Sequence, residues 1–289
     1  MTVSRRGILV AGMASIALPA SATATATAAA TLPSRIVSLN PCLDAILVRL
    51  APRHQIAAIS HFSRISQQSN IYPLAQTLPI THETAEEIVS LRPDLVLSSK
   101  HSSRATRNAL ERLGIPVELF GVPQTIEESL EQVDRIGALT GHADRASDLC
   151  SEITRHIERS RIQPNERRLK AVVFQPNGFA AGQGTLMSEM MEIVGFDNVA
   201  GRYGVGKWGN LSLEQIIANP PEVLLSGAGS QGAKSWAERI MLHPALRSIS
   251  HRMVQVEFPE KLLYCGGPVL IDTAAALVRA RQQALEALQ

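Results

Sequence analysis

Short apolar runs alternate with amphipathic segments along most of the chain. In the first half, apolar runs predict strands at 35–39, 55–60, 95–99 and 116–120. Segments with helical spacing lie between or behind these runs, at 41–51, 85–91 and 103–113. Strands that alternate with helices are typical of a parallel sheet covered on both faces. The first half is therefore predicted to be an α/β lobe.

The second half repeats this order of elements. Predicted strands at 170–175, 222–227 and 253–258 alternate with predicted helices at 186–195, from 213 onward and at 235–243. The segments "AEEIVSLRPDLVLSS" (85–99) and "LEQIIANPPEVLLSG" (213–227) also align without gaps. Their identities pair Glu86 with Glu214, Ile88 with Ile216, Pro93 with Pro221, Leu97 with Leu225 and Ser98 with Ser226. We interpret the repeat as a second lobe of the same kind.

An amphipathic segment separates the two lobes. Its apolar residues fall at helical spacing with charged residues elsewhere, and they are Ala143, Ala146, Leu149, Cys150, Ile153 and Ile157. A helix from 142 to 163 would be about 33 Å long at ~1.5 Å per residue, which would limit hinge motion. We therefore divide the chain into a first lobe at 31–141, a linker helix at 142–168 and a second lobe at 169–289.

Residues 1–30 have the order of a secretory signal peptide. Arg5 and Arg6 precede an apolar run at 8–18, and a tract of small residues follows. The run is too short to span a bilayer. "SRRGIL" also resembles a twin-arginine export signal, and both export routes stay open. Because no cysteine follows the apolar run, we expect no lipid anchor and a mature chain that is free in the periplasm.

Charge and cysteine content exclude some classes of function. The chain has 28 Lys and Arg residues against 26 Asp and Glu residues, and removal of the signal would take away two of the arginines. A net charge near zero provides no long-range attraction to nucleic acid or to an anionic membrane. The three cysteines, at positions 42, 150 and 265, do not have the spacing of a metal motif.

Four segments carry a resemblance to a known family. "SRIVSLNPCLDAILVRLAP", "EEIVSLRPDLVL", "LSLEQIIANPPEVLL" and "YCGGP" resemble periplasmic substrate-binding proteins of the metal-chelate class, which serve ABC importers of iron–siderophores, haem and cobalamin. The resemblance implies an α/β fold of two Rossmann-like lobes with parallel sheets, joined by one long helix. It implies that a small-molecule metal chelate lies in the cleft between the lobes. It also implies that Glu86 and Glu214 dock onto the ABC permease dimer in the inner membrane. We expect a monomer without a cofactor.

The ligand is expected beyond the carboxyl ends of the parallel strands, where loops of both lobes converge. Four aromatic residues fall in such loops, namely Phe62, Phe179, Trp208 and Tyr264. Aromatic side chains there suit a macrocycle or an aromatic chelate, although we expect at least one of these four to cap a lobe core. The candidate ligand-binding residues are Asn40, Pro41, Cys42, His61, Phe62, His82, Lys100 and His101 in the first lobe, and Gln175, Asn177, Phe179, Trp208, Ser230, Tyr264 and Cys265 in the second.

The chain departs from the cobalamin-binding members at two places. Those members carry an aromatic residue before the first glutamate helix, where this chain has "PITHETAEE". They also carry an aromatic residue and an arginine before the last helix, where this chain has Leu262 and Cys265. These departures argue against cobalamin, and His61, His82 and Tyr264 could instead meet a haem iron or another metal centre.

The cysteines are predicted not to pair across the lobes. Cys42 and Cys265 fall in cleft loops of opposite lobes, where a disulfide would lock the mouth of the cleft. Cys150 lies on the apolar stripe of the linker helix and is predicted to be a small core residue.

Two alternative functions stay open at this point. A zinc or manganese importer component would need about three histidines and a carboxylate converging in one cleft, and the eight histidines are scattered. A two-lobed periplasmic enzyme would use His82, Glu83 and Cys265.

Overall fold

The computed structural model describes residues 1–2, 32–175, 178–227 and 243–289. The predicted signal peptide and nearly all of the helix predicted at 235–243 lie outside the described residues. Residues 32–289 form one compact unit. No helix among the described residues is long and apolar enough to cross a membrane.

The first lobe contains a five-stranded sheet in which all strands are parallel. The strand order is β3-β2-β1-β4-β5. The strands are β1 (Ile36–Ser38), β2 (Ile56–Ser60), β3 (Ile80–Thr81), β4 (Leu95–Ser99) and β5 (Val117–Phe120). The helices between and after them are α1 (Pro41–Leu50), α2 (Tyr72–Ala75), α3 (Ala85–Ser90), α4 (Arg104–Arg112) and α5 (Ile126–Thr140).

The second lobe contains a four-stranded parallel sheet and a small hairpin. The strands are β6 (Leu169–Phe174), β8 (Phe196–Asn198), β10 (Val223–Ser226) and β11 (Val254–Glu257), in the order β11-β10-β6-β8. An antiparallel pair, β7 (Phe179–Ala181) and β9 (Trp208–Asn210), forms the hairpin. The helices of this half are α7 (Leu186–Val194), α8 (Leu213–Ala218), α9 (Pro244–Ser248) and α10 (Val269–Ala287).

The repeat seen in the sequence corresponds to an equivalent sheet topology. In the first sheet β4 lies between β1 and β5, and in the second sheet β10 lies between β6 and β11. The glutamate helices α3 and α8 precede β4 and β10 respectively. This arrangement confirms the predicted α/β fold with two lobes.

Each sheet is buried on both faces, which explains why its strands read as continuous apolar runs. Along β4, Leu95 and Leu97 face the central core, while Val96 faces an outer core beneath α3 and α4. Along β10, Leu225 faces the central core and Leu224 faces the second lobe's outer core. The central core is continuous through both lobes and includes residues of α1, α7 and α10, and of the linker helix at Ala143–Arg159.

The linker helix α6 (Ala143–Arg159) is shorter than predicted. Four of the six residues predicted for its apolar stripe are buried, namely Ala146, Leu149, Ile153 and Ile157. Ala143 is exposed and Cys150 is half-buried. Ser160 caps the C-terminus of the helix. Ile162 then donates its backbone N–H to Ile193 O at 2.9 Å. Pairing with the second lobe therefore ends the helix before residue 163, and its length is about 26 Å.

Several elements have no counterpart among the predicted ones. These are the long helix α5, the short strands β3 and β8, and the β7–β9 hairpin. The strands concerned are two or three residues long, which is too short for a period of two to stand out. Helix α5 does carry a detectable signal, because Thr125 caps it and Gly141 follows it with a φ of 80°.

Candidate functional site

A pocket lies between loops of the two halves of the chain. It contains about 390 Å³ of empty space, including solvent at its mouth. Asn40 and Cys42 follow β1, Ser99 ends β4, and Tyr264 belongs to the segment between β11 and α10. Three residues after β5 also line the pocket, namely Gly121, Val122 and Pro123. The pocket is therefore at the carboxyl edge of the first sheet, where ligands of open α/β sheets bind.

Cys42 and Cys265 form a disulfide, so the prediction that they stay unpaired is wrong. Their Cα atoms are 5.0 Å apart, within the usual range for a disulfide. The approach is possible because Gly266 and Gly267 follow Cys265 and lack side chains. A Cβ on Gly267 would lie 2.7 Å from Ile46 Cγ1 on α1. The two glycines thus bring Cys265 against the first lobe.

Cys150 has the free thiol. Its sulfur donates to Leu130 O at 3.6 Å and to Asp134 Oδ1 at 3.4 Å. Burial first, and then the nearby Asp134 carboxylate, raises the pKa of this thiol to about 12. The residue is half-buried between α5 and α6 and remains a thiol at physiological pH.

Three of the four predicted cleft aromatics form a cluster. Phe179 stacks on Trp208 with ring centroids 5.4 Å apart and an interplanar angle of 15°. Tyr264 lies 5.8 Å from Phe179 and 6.4 Å from Trp208. Phe179 and Trp208 occupy the two strands of the hairpin and pack against the central core on one side. Tyr264 is the member of the cluster that lines the pocket, and the other two rings adjoin the pocket through it. The three rings are called the aromatic wall below.

The Tyr264 hydroxyl is held in its neutral form. Burial and the Glu260 carboxylate raise the pKa of Tyr264 to about 12. The side chain is still 40% exposed, so the ring is available to a ligand while its hydroxyl remains a hydrogen-bond donor.

The fourth aromatic residue belongs to a separate group on the first lobe. The Phe62 ring lies 4.0 Å from the His61 ring, and His61 lies 5.0 Å from His82. His61 Nδ1 is buried and has no hydrogen-bond partner among the described residues, while His82 Nδ1 lies 3.4 Å from Glu87 Oε1. His61 and His82 follow the adjacent strands β2 and β3, and this explains why they meet.

A buried acidic network lies beneath this group. Asp44 Oδ2 accepts from Ser60 N at 3.0 Å and from Ser63 Oγ at 2.6 Å. Asp44 Oδ1 has no hydrogen-bond partner in the part of the chain that the structure describes. Ser60 Oγ in turn donates to Glu83 at 2.8 Å. Glu83 has a φ of 67°, which is rare for a side chain of this size. The network therefore fixes the turn between His82 and helix α3.

The remaining candidate residues have different roles or positions. Asn40 caps α1, its Oδ1 accepting from Cys42 N at 2.9 Å, and Pro41 is the first residue of that helix. Lys100 and His101 follow β4 and are exposed. Gln175 follows β6 and is buried, and its Nε2 donates to Phe258 O. The structure does not describe Asn177 and Ser230.

The two glutamates predicted to dock onto a permease occupy equivalent positions. Glu86 and Glu214 are each the second residue of a six-residue helix, behind the hydroxyl caps Thr84 and Ser212. Both side chains are exposed, and within the described chain neither forms a salt bridge. A hydrogen bond from its own backbone, and then one from Ser212, lower the pKa of Glu214. Each glutamate is thus an exposed carboxylate at a helix N-terminus.

Sequence reasoning missed the β5 loop and the acidic network. Gly121, Val122 and Pro123 line the pocket and directly follow a predicted strand. The reasoning that predicted Asn40 and Lys100 as strand-end residues would therefore have predicted them too. Asp44 gives no comparable signal, and Glu83 is considered only for the enzyme alternative. Their roles depend on Ser60, which lies 16 and 23 residues away from them in the sequence.

Two alternative sites find little support in this geometry. Within the described ranges, no group of three or more His, Cys, Asp and Glu side chains could hold a metal ion. The thiol that an enzyme would need at Cys265 is bonded to Cys42. The site is therefore a pocket with an aromatic wall and a disulfide, and a histidine pair lies on two other loops of the first lobe.

Comparison with known proteins assigns the family. The model of the periplasmic binding protein family matches residues 36–250, and the chain therefore belongs to this family. A cobalamin-binding protein of Halobacterium salinarum is 24% identical over 213 residues, which cover 72% of this chain and 58% of the relative. The chain thus spans less than two thirds of that relative's length.

Solved structures show the same fold at low sequence identity. A periplasmic haem-binding protein from Roseiflexus sp. RS-1 has a TM-score of 0.70 at 21% identity, with coverage of 89% of this chain and 99% of that one. An Fe3+-hydroxamate transport protein from Saccharomonospora viridis has a TM-score of 0.64 at 20% identity, with coverage of 86% and 93%.

Proposed function

We propose that this protein is the substrate-binding component of an ABC importer that captures a metal chelate and delivers it to a membrane permease. The observation that carries the proposal is the wall of Phe179, Trp208 and Tyr264 beside the pocket between the two halves. Flat, partly exposed rings suit the face of a macrocycle or an aromatic chelate. A cobalamin-binding relative, a haem-binding structural neighbour and a neighbour from an Fe3+-hydroxamate transport system support this class of ligand.

The protein acts as a carrier and not as an enzyme in this proposal. The disulfide at Cys265 removes the nucleophile that a catalytic alternative requires, and the family is one of binding proteins. The bound chelate should accordingly be recovered chemically unchanged. A product formed from it in a single turnover would overturn the carrier assignment.

The proposal includes export to the periplasm through a signal peptide at 1–30, and a monomer that binds no nucleic acid. Basic, apolar and small residues follow one another in the order that export signals use. Fractionation of cells that produce the full chain should find a shortened protein in the periplasm. A full-length protein retained in the cytoplasm would contradict this part.

Titration with haemin, cyanocobalamin and ferric ferrioxamine B tests the ligand class. The chain has two tryptophans, so a Trp236→Phe background makes Trp208 the sole tryptophan emitter. We expect at least one chelate to quench its emission. In the parent chain, Trp208→Ala should weaken binding about tenfold, since a lost aromatic contact of ~1.4 kcal/mol corresponds to that factor.

The control variant is Tyr72→Ala, which removes an exposed aromatic ring on α2. It should leave the affinity unchanged. Failure of all three chelates to bind wild type would contradict the proposed ligand class. Zn²⁺ or Mn²⁺ binding in their place would favour the metal-ion alternative.

A further inference from the structure

The Cys42–Cys265 disulfide connects two elements that are 223 residues apart. Cys42 is the second residue of α1, directly behind the end of β1 in the first lobe. Cys265 follows β11 of the second lobe and precedes α10. The bond therefore joins the carboxyl edge of the first sheet to the return segment from the second sheet.

This return segment, residues 264–268, is called the strap below. Its glycines are packed against the first lobe, where Gly267 N donates to Ser129 Oγ at 2.7 Å. A Cβ on Gly266 would lie 2.4 Å from that same oxygen, so no larger residue fits without a shift. The strap thus follows the surface of α1 and α5 before α10 begins.

The other end of the strap belongs to the second lobe. Tyr264 contacts Phe179 and Trp208 of the hairpin, with centroid distances of 5.8 and 6.4 Å. Adjacent residues of one short segment thus contact the aromatic wall and bond to the first lobe. The disulfide therefore connects α1 covalently to the segment that carries Tyr264, whose ring lines the pocket.

The two sulfur-bearing residues differ in their exposure. Cys42 is half-buried and lines the pocket, whereas Cys265 is 8% exposed. Because Cys42 is the member of the pair that lines the pocket, we expect an attacking thiolate to approach the disulfide from that side. A ligand seated against Tyr264 would obstruct this route.

We propose that the Cys42–Cys265 disulfide is a redox-controlled part of the ligand site. When it is intact, it holds Tyr264 at the pocket and the protein binds its chelate with full affinity. When a dithiol of the thioredoxin-like class reduces it, the strap loosens and the affinity falls. This inference rests on the proposed function for its ligand, but the loosening of the strap does not depend on any ligand.

The chemistry is ordinary thiol–disulfide exchange. A thiolate of the reductant attacks the Cys42 sulfur, the S–S bond breaks, and Cys265 leaves as a thiolate that takes up a proton. The second thiol of the reductant then attacks the mixed disulfide and releases the Cys42 thiol. The reductant loses two electrons and two protons, and the two cysteines gain them.

Binding and redox state are linked reciprocally. If reduction weakens chelate binding by a given factor, the chelate must stabilise the disulfide against reduction by the same factor. A tenfold effect corresponds to about 30 mV for this two-electron couple. The bound chelate should also slow reduction, because it covers the Cys42 sulfur.

The first test needs no ligand and uses hydrogen–deuterium exchange in a Cys150→Ser background. Alkylation of the denatured, unreduced protein should first show no free thiol, and two after dithiothreitol. Reduction of the folded protein should then increase exchange in the strap and at 40–43, while α4 remains unchanged. Equal hydrogen–deuterium exchange in the oxidised and reduced protein would overturn the proposal. This outcome does not depend on whether any chelate binds.

The second test compares the affinity of oxidised and reduced protein for whichever of haemin, cyanocobalamin or ferric ferrioxamine B binds wild type. We expect reduction to weaken binding at least tenfold, and the Cys42→Ser/Cys265→Ser variant to match the reduced protein. Cys150→Ser, which removes the unpaired thiol, should match oxidised wild type. Equal affinity in the two redox states, or a chelate that leaves the reduction equilibrium unshifted, would refute the proposal.

Because the double serine variant could fail to fold, the reduced wild-type chain provides the independent measurement. Its circular dichroism should stay native while its affinity falls. Global unfolding on reduction would refute a local role of the disulfide. If no chelate binds the oxidised protein while reduction loosens the strap, the proposed ligand class fails and the strap mechanism survives.

Discussion

At the residue scale, Asp44 is the most unusual group in the described chain. Its carboxyl is fully buried, and one of its oxygens has no hydrogen-bond partner. Burial raises the pKa of Asp44 from 3.8 to about 8, against the opposing effect of hydrogen bonds from serines 38, 63 and 60. At neutral pH the side chain is therefore mainly a neutral acid that accepts from Ser60 N and Ser63 Oγ.

This raised pKa predicts a pH dependence of stability. The folded state binds a proton at Asp44 that the unfolded state has lost above pH ~4, so the contribution of this group is complete below that pH. It is lost as the pH rises toward about 8, with a slope of at most about 1.4 kcal/mol per pH unit. Asp44→Asn should lack this slope, as denaturant unfolding across the range would show.

The matched control is Asp94→Asn. Burial opposes ionisation of Asp94, but hydrogen bonds from Ser34 and Arg35 prevail and lower the pKa of its carboxyl. Its contribution is therefore present at neutral pH and is lost as the pH falls below the ordinary value of 3.8. Parallel stability curves for wild type and Asp44→Asn between pH 4 and 8 would show that Asp44 is ionised in the folded protein.

At the element scale, α3 and α8 are short helices at equivalent positions in the two lobes. Each has a hydroxyl cap, a glutamate at its second position and a buried isoleucine two residues later, Ile88 or Ile216. Burial of the isoleucine on the inner face directs the glutamate outward. Because the two helices have equivalent positions on the two lobes, each would contact one subunit of a permease dimer in the same way.

The Glu86→Ala/Glu214→Ala variant should therefore lose uptake while it keeps its affinity for the chelate. A charge pair that is desolvated on docking costs roughly 2–5 kcal/mol when one partner is removed, so permease binding should weaken by well over tenfold. Uptake into vesicles that carry the cognate permease measures the effect. The control is Glu111→Ala/Glu286→Ala, two exposed helical glutamates of α4 and α10. Normal uptake by the first variant would remove both residues from docking.

At the scale of the whole molecule, the two lobes share one continuous core. Helix α10 packs against α6, α7 and β11, and the core includes residues of both sheets. Ion pairs and hydrogen bonds supplement this core away from the pocket, as Arg49 pairs with Glu152 at 2.7 Å and Asn70 donates to Asp272 at 2.8 Å. A packed core of this kind resists large hinge motion.

Ligand binding should accordingly change the shape of the oxidised protein very little. Small-angle X-ray scattering should give the same radius of gyration, within error, for the free protein and for the protein saturated with its chelate. Closure of the two lobes about a flexible hinge would instead decrease the radius of gyration measurably. A clear decrease on binding would contradict the rigid connection through α6 and the central core.

Much of this organisation is determined locally, and the sequence alone predicts it. Apolar runs such as 95–99, the stripe of α6 and the repeated glutamate helices depend on neighbours within a few residues. Strand-end loops could also be located, because the carboxyl ends of parallel strands meet at one edge of a sheet. The same local rules predict Phe179, Trp208 and Tyr264 as site residues, and these three side chains contact one another in the folded protein.

Only the tertiary structure decides which distant residues meet. Cys42 and Cys265 pair because two glycines let the strap approach α1, and no local pattern measures that approach. Asp44, Ser60 and Glu83 likewise form a network only once α1, β2 and the turn after β3 are packed together. Secondary structure follows from short-range periodicity, whereas the disulfide and the buried acid depend on long-range packing, where a shift of a few ångströms makes or breaks a contact.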